Sequence, residues 1–174
     1  MEVKALFLLS EHAMLIEMTI KGLMVDPITN TPIVILKDKE GDRVLPIWVG
    51  VFEANAIALQ IENVSTPRPM THDLLRNIIT DLDGRVDRVV VSDLKDSTFF
   101  ALIHLTVKGE GIAVDARPSD AIALALRTRA PILVEESVID NAKTVEFGSA
   151  RLDTDDAQKW LENLDPAELP KYKM

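Results

Sequence analysis

The sequence predicts an α+β fold: internally duplicated strand-strand-strand-helix units forming a mixed, largely antiparallel sheet or a small barrel packed with helices. Three observations carry this. The tetrad Ala56-Ile57-Ala58-Leu59 returns as Ala121-Ile122-Ala123-Leu124, and Ile47 and Val49 stand the same sixty-five residues before Ile112 and Val114. Polar glycine loops, Lys39-Glu40-Gly41 and Lys108-Gly109-Glu110-Gly111, fall at matching places in the two copies. Strand-like apolar segments precede each loop, and an apolar helical segment closes each copy.

In chain order, Leu15 to Val25 alternates: Ile16, Met18 and Ile20 are apolar while Glu17, Thr19 and Lys21 are polar, the pattern of a half-buried strand. Asp26 to Asn30 is a turn, because Pro27 fixes φ and the flanking Asp and Asn can close on the backbone. Pro32 to Lys37 is a strand whose unbroken Ile33-Val34-Ile35-Leu36 run implies burial on both faces. Asp38 to Asp42 is a hairpin loop in which Gly41 is expected to supply a positive φ. Arg43 to Val49 is the third strand, and Pro46 within it requires an edge or a bulge.

A mostly buried helix follows from Gly50 to about Glu62, with Glu53 in its first turn, where the helix dipole favours a carboxylate. Ser65 to Met70 is a stiff extended connection, since residues before Pro67 and Pro69 are pushed out of the helical region. Thr71 is expected to cap a helix that Gly84 stops, with Leu74, Leu75, Ile78, Ile79 and Leu82 as its apolar stripe. The second copy reads as a strand Arg85–Val91, a turn Ser92–Ser97, a strand Thr98–Val107, a hairpin loop and a strand Ile112–Asp115. Its helix ends near Thr128; Pro131–Val134 is a last short strand and Ser137–Ala142 a helical turn.

Composition narrows the function. At 174 residues and 47% hydrophobic, the chain can bury a core without staples, and it has no cysteine for a disulfide or thiolate site. No apolar run is long enough to span a bilayer, and no small-residue cleavage site follows the apolar stretch Ala5–Leu9, so a cytoplasmic protein without membrane contact is expected. The net charge of −9 argues against coating a duplex, because phosphate neutralisation supplies that affinity. Any nucleic acid is expected to be single-stranded or short, weakly bound, and held locally. The domain reading is an N-terminal extension at 1–13, a central domain at 14–143 and an acidic helical extension at 144–174. In the last of these, Ala157, Trp160, Leu161 and Leu164 form a stripe expected to dock within the assembly. Edge strands and that stripe together favour a homodimer or higher homo-oligomer.

Three stretches are distinctive: Leu45-Pro46-Ile47-Trp48-Val49-Gly50 with Glu53-Ala54; Thr66-Pro67-Arg68-Pro69-Met70-Thr71-His72-Asp73-Leu74-Leu75; and Val114-Asp115-Ala116-Arg117-Pro118-Ser119-Asp120 running on to Arg127. Together they resemble the bifunctional nuclease domain family, and the chain looks like one of its small bacterial members. The resemblance covers about residues 14–143. It implies a nuclease, a hydrolase acting on the phosphodiester bonds of RNA, DNA or both.

Phosphodiester hydrolysis needs an activated water, charge stabilisation on phosphate and help for the leaving oxygen. The catalytic candidates are His72, Asp73, Asp115 and Asp120. Arg68, Arg117 and Ser119 are the substrate-binding candidates, the two arginines held in stiff segments beside proline. Glu53, Asp115 and Asp120 are the candidate ligands of Mg²⁺ or Mn²⁺; no organic cofactor is expected. Each residue has a plainer reading: Asp120 and Glu53 as first-turn carboxylates, Asp115 and Arg117 as an ion pair, His72 as a local hydrogen-bonding group. Aligned on the tetrads, the earlier copy has Gly50, Phe52 and Ala54 where the later has Asp115, Arg117 and Ser119. Those three positions, more than Asp120, then mark function. The competing class is a non-enzymatic module that binds a small anionic ligand or a protein partner in the cleft between the copies.

Overall fold

In the computed structural model, residues 14–142 are described. The elements run β1 (Leu15–Val25), β2 (Pro32–Asp38), β3 (Val44–Trp48), α1 (Val51–Ile61), α2 (Thr71–Asp81), β4 (Gly84–Lys95), β5 (Thr98–Val107), β6 (Glu110–Ala116), α3 (Pro118–Thr128), β7 (Ile132–Glu135) and α4 (Glu136–Ala142). The seven strands form one open sheet in the order β3-β2-β1-β7-β4-β5-β6. Each copy is an antiparallel meander followed by a helix, and α2 links the copies. The sheet joins them through β7, antiparallel to β1 and parallel to β4. It is therefore mixed, largely antiparallel and open rather than a closed barrel.

Alternation decides which side chains meet the helices. Ile16 and Met18 of β1, Val89 and Val91 of β4, Ala101, Ile103 and Leu105 of β5, and Val134 of β7 share one core with Ile57 of α1, Ala121–Ala125 of α3 and Ile139 of α4. Burying each large aliphatic side chain stabilises the fold by roughly 1.5–3 kcal/mol. On β2, Val34 and Leu36 enter this core, while Ile33 and Ile35 enter a second cluster with Val44, against which Trp48 packs. The double burial expected of β2 is explained by these two clusters. Pro46 is tolerated because β3 is an edge strand.

Several local expectations are corrected. Gly41 has no positive φ. The β2–β3 loop is closed instead by Asp38, whose Oδ1 accepts the Glu40 and Gly41 N–H groups and whose Oδ2 accepts from Arg43 Nε. A Cβ at Gly41 would come within 2.8 Å of that carboxylate, so the glycine is there for close approach. Met70, not Thr71, is the N-cap of α2, and the N3 residue Asp73 accepts its backbone N–H. After that helix Asp83 takes the left-handed conformation, and Gly84 opens β4. Strand β4 does not end at Val91 but runs to Lys95, with register shifts at Val86/Arg88 and Val91/Asp93. Those shifts break the period-two pattern, which is why the sequence alone reads a turn there. The largest difference concerns the α2 stripe: Ile79 packs on the core, but Leu74, Leu75, Ile78 and Leu82 are exposed. The predicted helix at 153–164 lies outside the described residues.

Among the described residues no helix is long and apolar enough to cross a membrane. Glu135 at the end of β7 faces a penalty: burial, and then the charge of Asp93, push its carboxyl above the ordinary range. A raised folded value means ionised Glu135 destabilises the fold near neutrality, and the penalty fades as pH falls through that value. Glu135→Gln is therefore expected to raise the melting temperature at pH 7, and the gain should shrink in acid.

Candidate functional site

The two repeat helices begin side by side, and their caps set the site. Gly50 is the N-cap of α1 and Arg117 that of α3. Counted from the caps the copies are sixty-seven residues apart, so Glu53 and Asp120 are equivalent third residues of their helices. The tetrad alignment hides this equivalence. Arg117, at the start of α3, lies between the two carboxylates. Its Nη1 is 2.9 Å from Glu53 Oε1, and its Nε donates to Asp120 Oδ2 at 2.7 Å. The Arg117 side chain is 65% exposed, while Glu53 and Asp120 are 19% and 29% exposed, so the guanidinium is the part of the cluster that solvent reaches.

His72 closes the group from the linking helix. It is buried, and its Nε2 lies 3.1 Å from Asp120 Oδ1. Four side chains from three helices, Glu53, Arg117, Asp120 and His72, therefore form one chain of polar contacts. Burial pushes the Asp120 carboxyl up, but bonds from Arg117 and His72 outweigh it and hold it below its ordinary value of 3.8. The Asp120 bond, the largest influence on Arg117, holds its guanidinium firmly charged. A Cβ at Gly50 would strike the Glu53 carboxylate, which lies folded back over the cap. Gly50→Ala is thus expected to displace Glu53 from Arg117 with little loss of stability, seen as a broken Glu53–Arg117 contact in a crystal structure of the variant at an unchanged melting temperature.

A second arginine ties the helices together beneath the surface. Arg127, its side chain 2% exposed, donates from Nε to Asp73 Oδ1 at 2.7 Å, from Nη1 to the Ala123 carbonyl and from Nη2 to the Ala56 carbonyl. Asp73 Oδ2 meanwhile accepts the Met70 N–H. Both oxygens of Asp73 are engaged in holding α2 in place. Asp73, Asp120, Asp26, Asp38 and Asp87 all sit below their ordinary value of 3.8. Depressed folded values give stability that is present above the unfolded value and lost as pH falls through the folded ones. Melting temperature should stay level from pH 7 to 5 and fall below about pH 4.

Other predicted residues lie apart. Asp115 is on β6, exposed, opposite Leu102, and its side chain has no hydrogen bond or ion pair among the described residues. Glu53, Asp115 and Asp120 do not make a metal cage in this arrangement. Arg117 sits where a cation between Glu53 and Asp120 would stand, and among the described residues no three His, Cys, Asp or Glu side chains are grouped to hold a metal. Ser119 is buried and lines a pocket of about 270 Å³ with Arg117, Trp48 and Phe99. Arg68 is exposed, with no bonded side-chain partner among the described residues. It lines a separate polar pocket of about 500 Å³ with Asn63, Thr66, Arg76 and Arg127. Sequence reasoning assigned no role to Arg127, Arg76, Trp48 or Phe99. The signal for Arg127 was present: a guanidinium on the apolar side of a helix must find a buried partner.

A family model described as bifunctional nuclease domain matches residues 34–146. An uncharacterized protein of Mycobacterium tuberculosis is 38% identical over 163 residues, spanning 90% of this chain and 98% of that protein. Bifunctional nuclease 2 of Oryza sativa subsp. japonica is 31% identical over 66% of this chain and 37% of its own length. Bifunctional nuclease 1 of Arabidopsis thaliana is 28% identical over 67% and 38%. The chain thus spans well under half the length of these plant relatives.

Proposed function

The chain belongs to the bifunctional nuclease domain family, and from that membership we propose that it hydrolyses phosphodiester bonds of single-stranded RNA or DNA at the Glu53–Arg117–Asp120–His72 cluster. The observation that carries the reading is Arg117, an exposed planar fork held by two carboxylates where the two repeat helices begin. Arg117 would take the phosphate and stabilise the charge that builds on it. Glu53 or Asp120 would take a proton from the attacking water as its oxygen bonds to phosphorus, the leaving oxygen would depart with a proton from that carboxyl group or from solvent as its own P–O bond breaks, and His72 would hold Asp120 in place. Arg68, in the segment before α2, would take a neighbouring phosphate. A divalent cation with Glu53 and Asp120 as ligands would have to displace the guanidinium.

The test is cleavage of labelled single-stranded RNA and DNA by purified protein, with Mg²⁺ or Mn²⁺ and with chelator. Cleavage that survives chelator and is lost in Arg117→Ala supports the residue-only site. Loss in chelator alone would mean that the carboxylates release Arg117 to a cation. The polar pocket at Arg68 and Arg76 favours a second reading, a non-enzymatic binder of a small anion. It predicts no turnover, but a rise in melting temperature with phosphorylated ligands.

Assembly belongs to the same proposal. Leu74, Ile78 and Leu82 are 53%, 46% and 59% exposed on one side of α2, an apolar face that a second copy of the chain would cover. Ile78→Glu is expected to convert a homodimer to monomer in sedimentation without unfolding it. A wild-type monomer at micromolar concentration would exclude the dimer.

A further inference from the structure

The polar pocket of about 500 Å³ is walled by the end of α1, the connection 63–70, the first two turns of α2 and Arg127 of α3. Its charged lining is Arg68, Arg76, Arg127 and Asp73, a net of two positive charges in a protein whose net charge is −9. Asp73 does not balance the other two arginines as well as Arg127. Its Oδ1 accepts from Arg127 and its Oδ2 from the Met70 N–H. Arg76 reaches Asp73 only as a longer-range charge, not as an ion pair among the described residues. Its Nε and Nη2 donate to the neutral Asn77 amide oxygen at 3.1 and 2.9 Å. It is half-buried, where an unpaired charge is costly. Arg68 stands between Pro67 and Pro69, and Thr66 Oγ1 donates to its carbonyl at 2.7 Å, so its backbone is held while its guanidinium has no partner among the described residues.

Two guanidinium groups without ionic partners at one pocket call for a dianion. A phosphodiester carries one negative charge, whereas a phosphate monoester carries close to two at neutral pH and offers three acceptor oxygens. We propose that this pocket binds the phosphate of a monoester, a nucleotide or a sugar phosphate, with Arg68 and Arg76 donating to its oxygens. The volume suits a ligand of that size. Gln60 and Ser65 on the wall add polar groups for the hydroxyls of the attached sugar. The monoester comes either from a free small molecule or from the end of a strand held at the Arg117 cluster. The two sites are neighbours through α2, where Asp73 of the pocket follows His72 of the cluster.

This rests on the anion-binding reading of the pocket, and the tests tell the two failures apart. Calorimetry compares adenosine 5′-monophosphate with its phosphate methyl ester, which keeps the base, sugar and phosphorus but carries one charge. The monoester is expected to bind about 10-fold or more tighter. Its affinity should fall by a similar factor from about pH 7.5 to about pH 5, as the phosphate takes up its second proton. Over that range the three arginines stay charged, and Asp73, held below its ordinary value of 3.8, stays ionised. Arg68→Gln and Arg76→Gln should each weaken monoester binding about 10-fold with the melting temperature little changed, while Arg117→Ala leaves that binding as it is. Equal affinity for the monoester and its methyl ester, lost in Arg68→Gln, overturns the monoester and leaves an unselective anion pocket. No binding of either sinks both readings. Binding that Arg117→Ala abolishes and Arg68→Gln and Arg76→Gln keep puts the phosphate at the cluster, and overturns the proposal too. A short single strand with a 5′-phosphate, run against the same strand with a 5′-hydroxyl, assigns the source. Binding that needs the end phosphate and is tighter than that of the free nucleotide marks a strand end; weaker binding marks a free small molecule, and both uphold the site.

Discussion

Arg127→Ala is expected to be among the most destabilising single changes available, about 3–5 kcal/mol. In a chain of this length that lowers the melting temperature by roughly 10 °C or more. The side chain is almost wholly buried and holds three helices at once: α1 through the Ala56 carbonyl, α2 through Asp73, and its own helix through Ala123. Truncation strands the Asp73 carboxylate and the Ala56 carbonyl without a donor, and the penalty comes mostly from those orphaned groups. The control is the pair Arg127→Met with Asp73→Asn, which removes both charges. It should lose clearly less than Arg127→Ala, because neither partner is left ionised. Thermal unfolding of the variants checks this, and a loss under 1 kcal/mol for Arg127→Ala would show that the contact is incidental.

Arg117→Ala should do the reverse, leaving the fold largely intact and removing function. Its side chain is mostly exposed, so little packing is lost. A positioned donor aimed at developing charge is worth about 10²–10³-fold in rate, and that is the expected fall in kcat/KM on single-stranded substrate. Arg117→Lys keeps the charge but loses the planar fork that reaches Glu53 and Asp120 together, so an intermediate rate is expected. If Arg117→Ala cleaves as wild type does, the cluster is a structural ion-pair network and the reacting phosphate binds elsewhere.

Much of the scaffold was legible in the residues. The bounds of β1, β5 and α3 follow from alternation, from the Lys108-Gly109 turn and from Pro118 at a helix start. The duplication that orders the sheet shows in the tetrads. What was hidden has physical reasons. The bulges in β4 move a run of polar residues into a strand, and no local pattern announces a bulge. The α2 stripe looks like a core face because periodicity reports amphipathicity, not the identity of what covers it. The site was half visible. Glu53, His72, Arg117 and Asp120 were each singled out, but the contact of His72 with Asp120 spans forty-eight positions and depends on how α2 returns across α3. The tetrads also set the copies two residues out of register at their caps, which drew attention to Asp115, a residue standing alone on β6. Glu53 and Asp120 are the matched pair, and one arginine joins them.

The strand between the copies is the last of the seven to leave the ribosome. During synthesis β1 waits for Ile132–Glu135 before its second edge is covered, more than a hundred residues after it has emerged. Both meanders can form early, each from contacts close in sequence. Their union requires closing a long loop, which is slow. The nascent chain therefore passes through a stage of two unjoined half-sheets with open inner edges, the form in which pairing with another chain competes. A chain stopped at about residue 130 is expected to aggregate, whereas one carried past α4 is not. Pulse-labelled synthesis of graded truncations would show a sharp gain of protease resistance as β7 is completed.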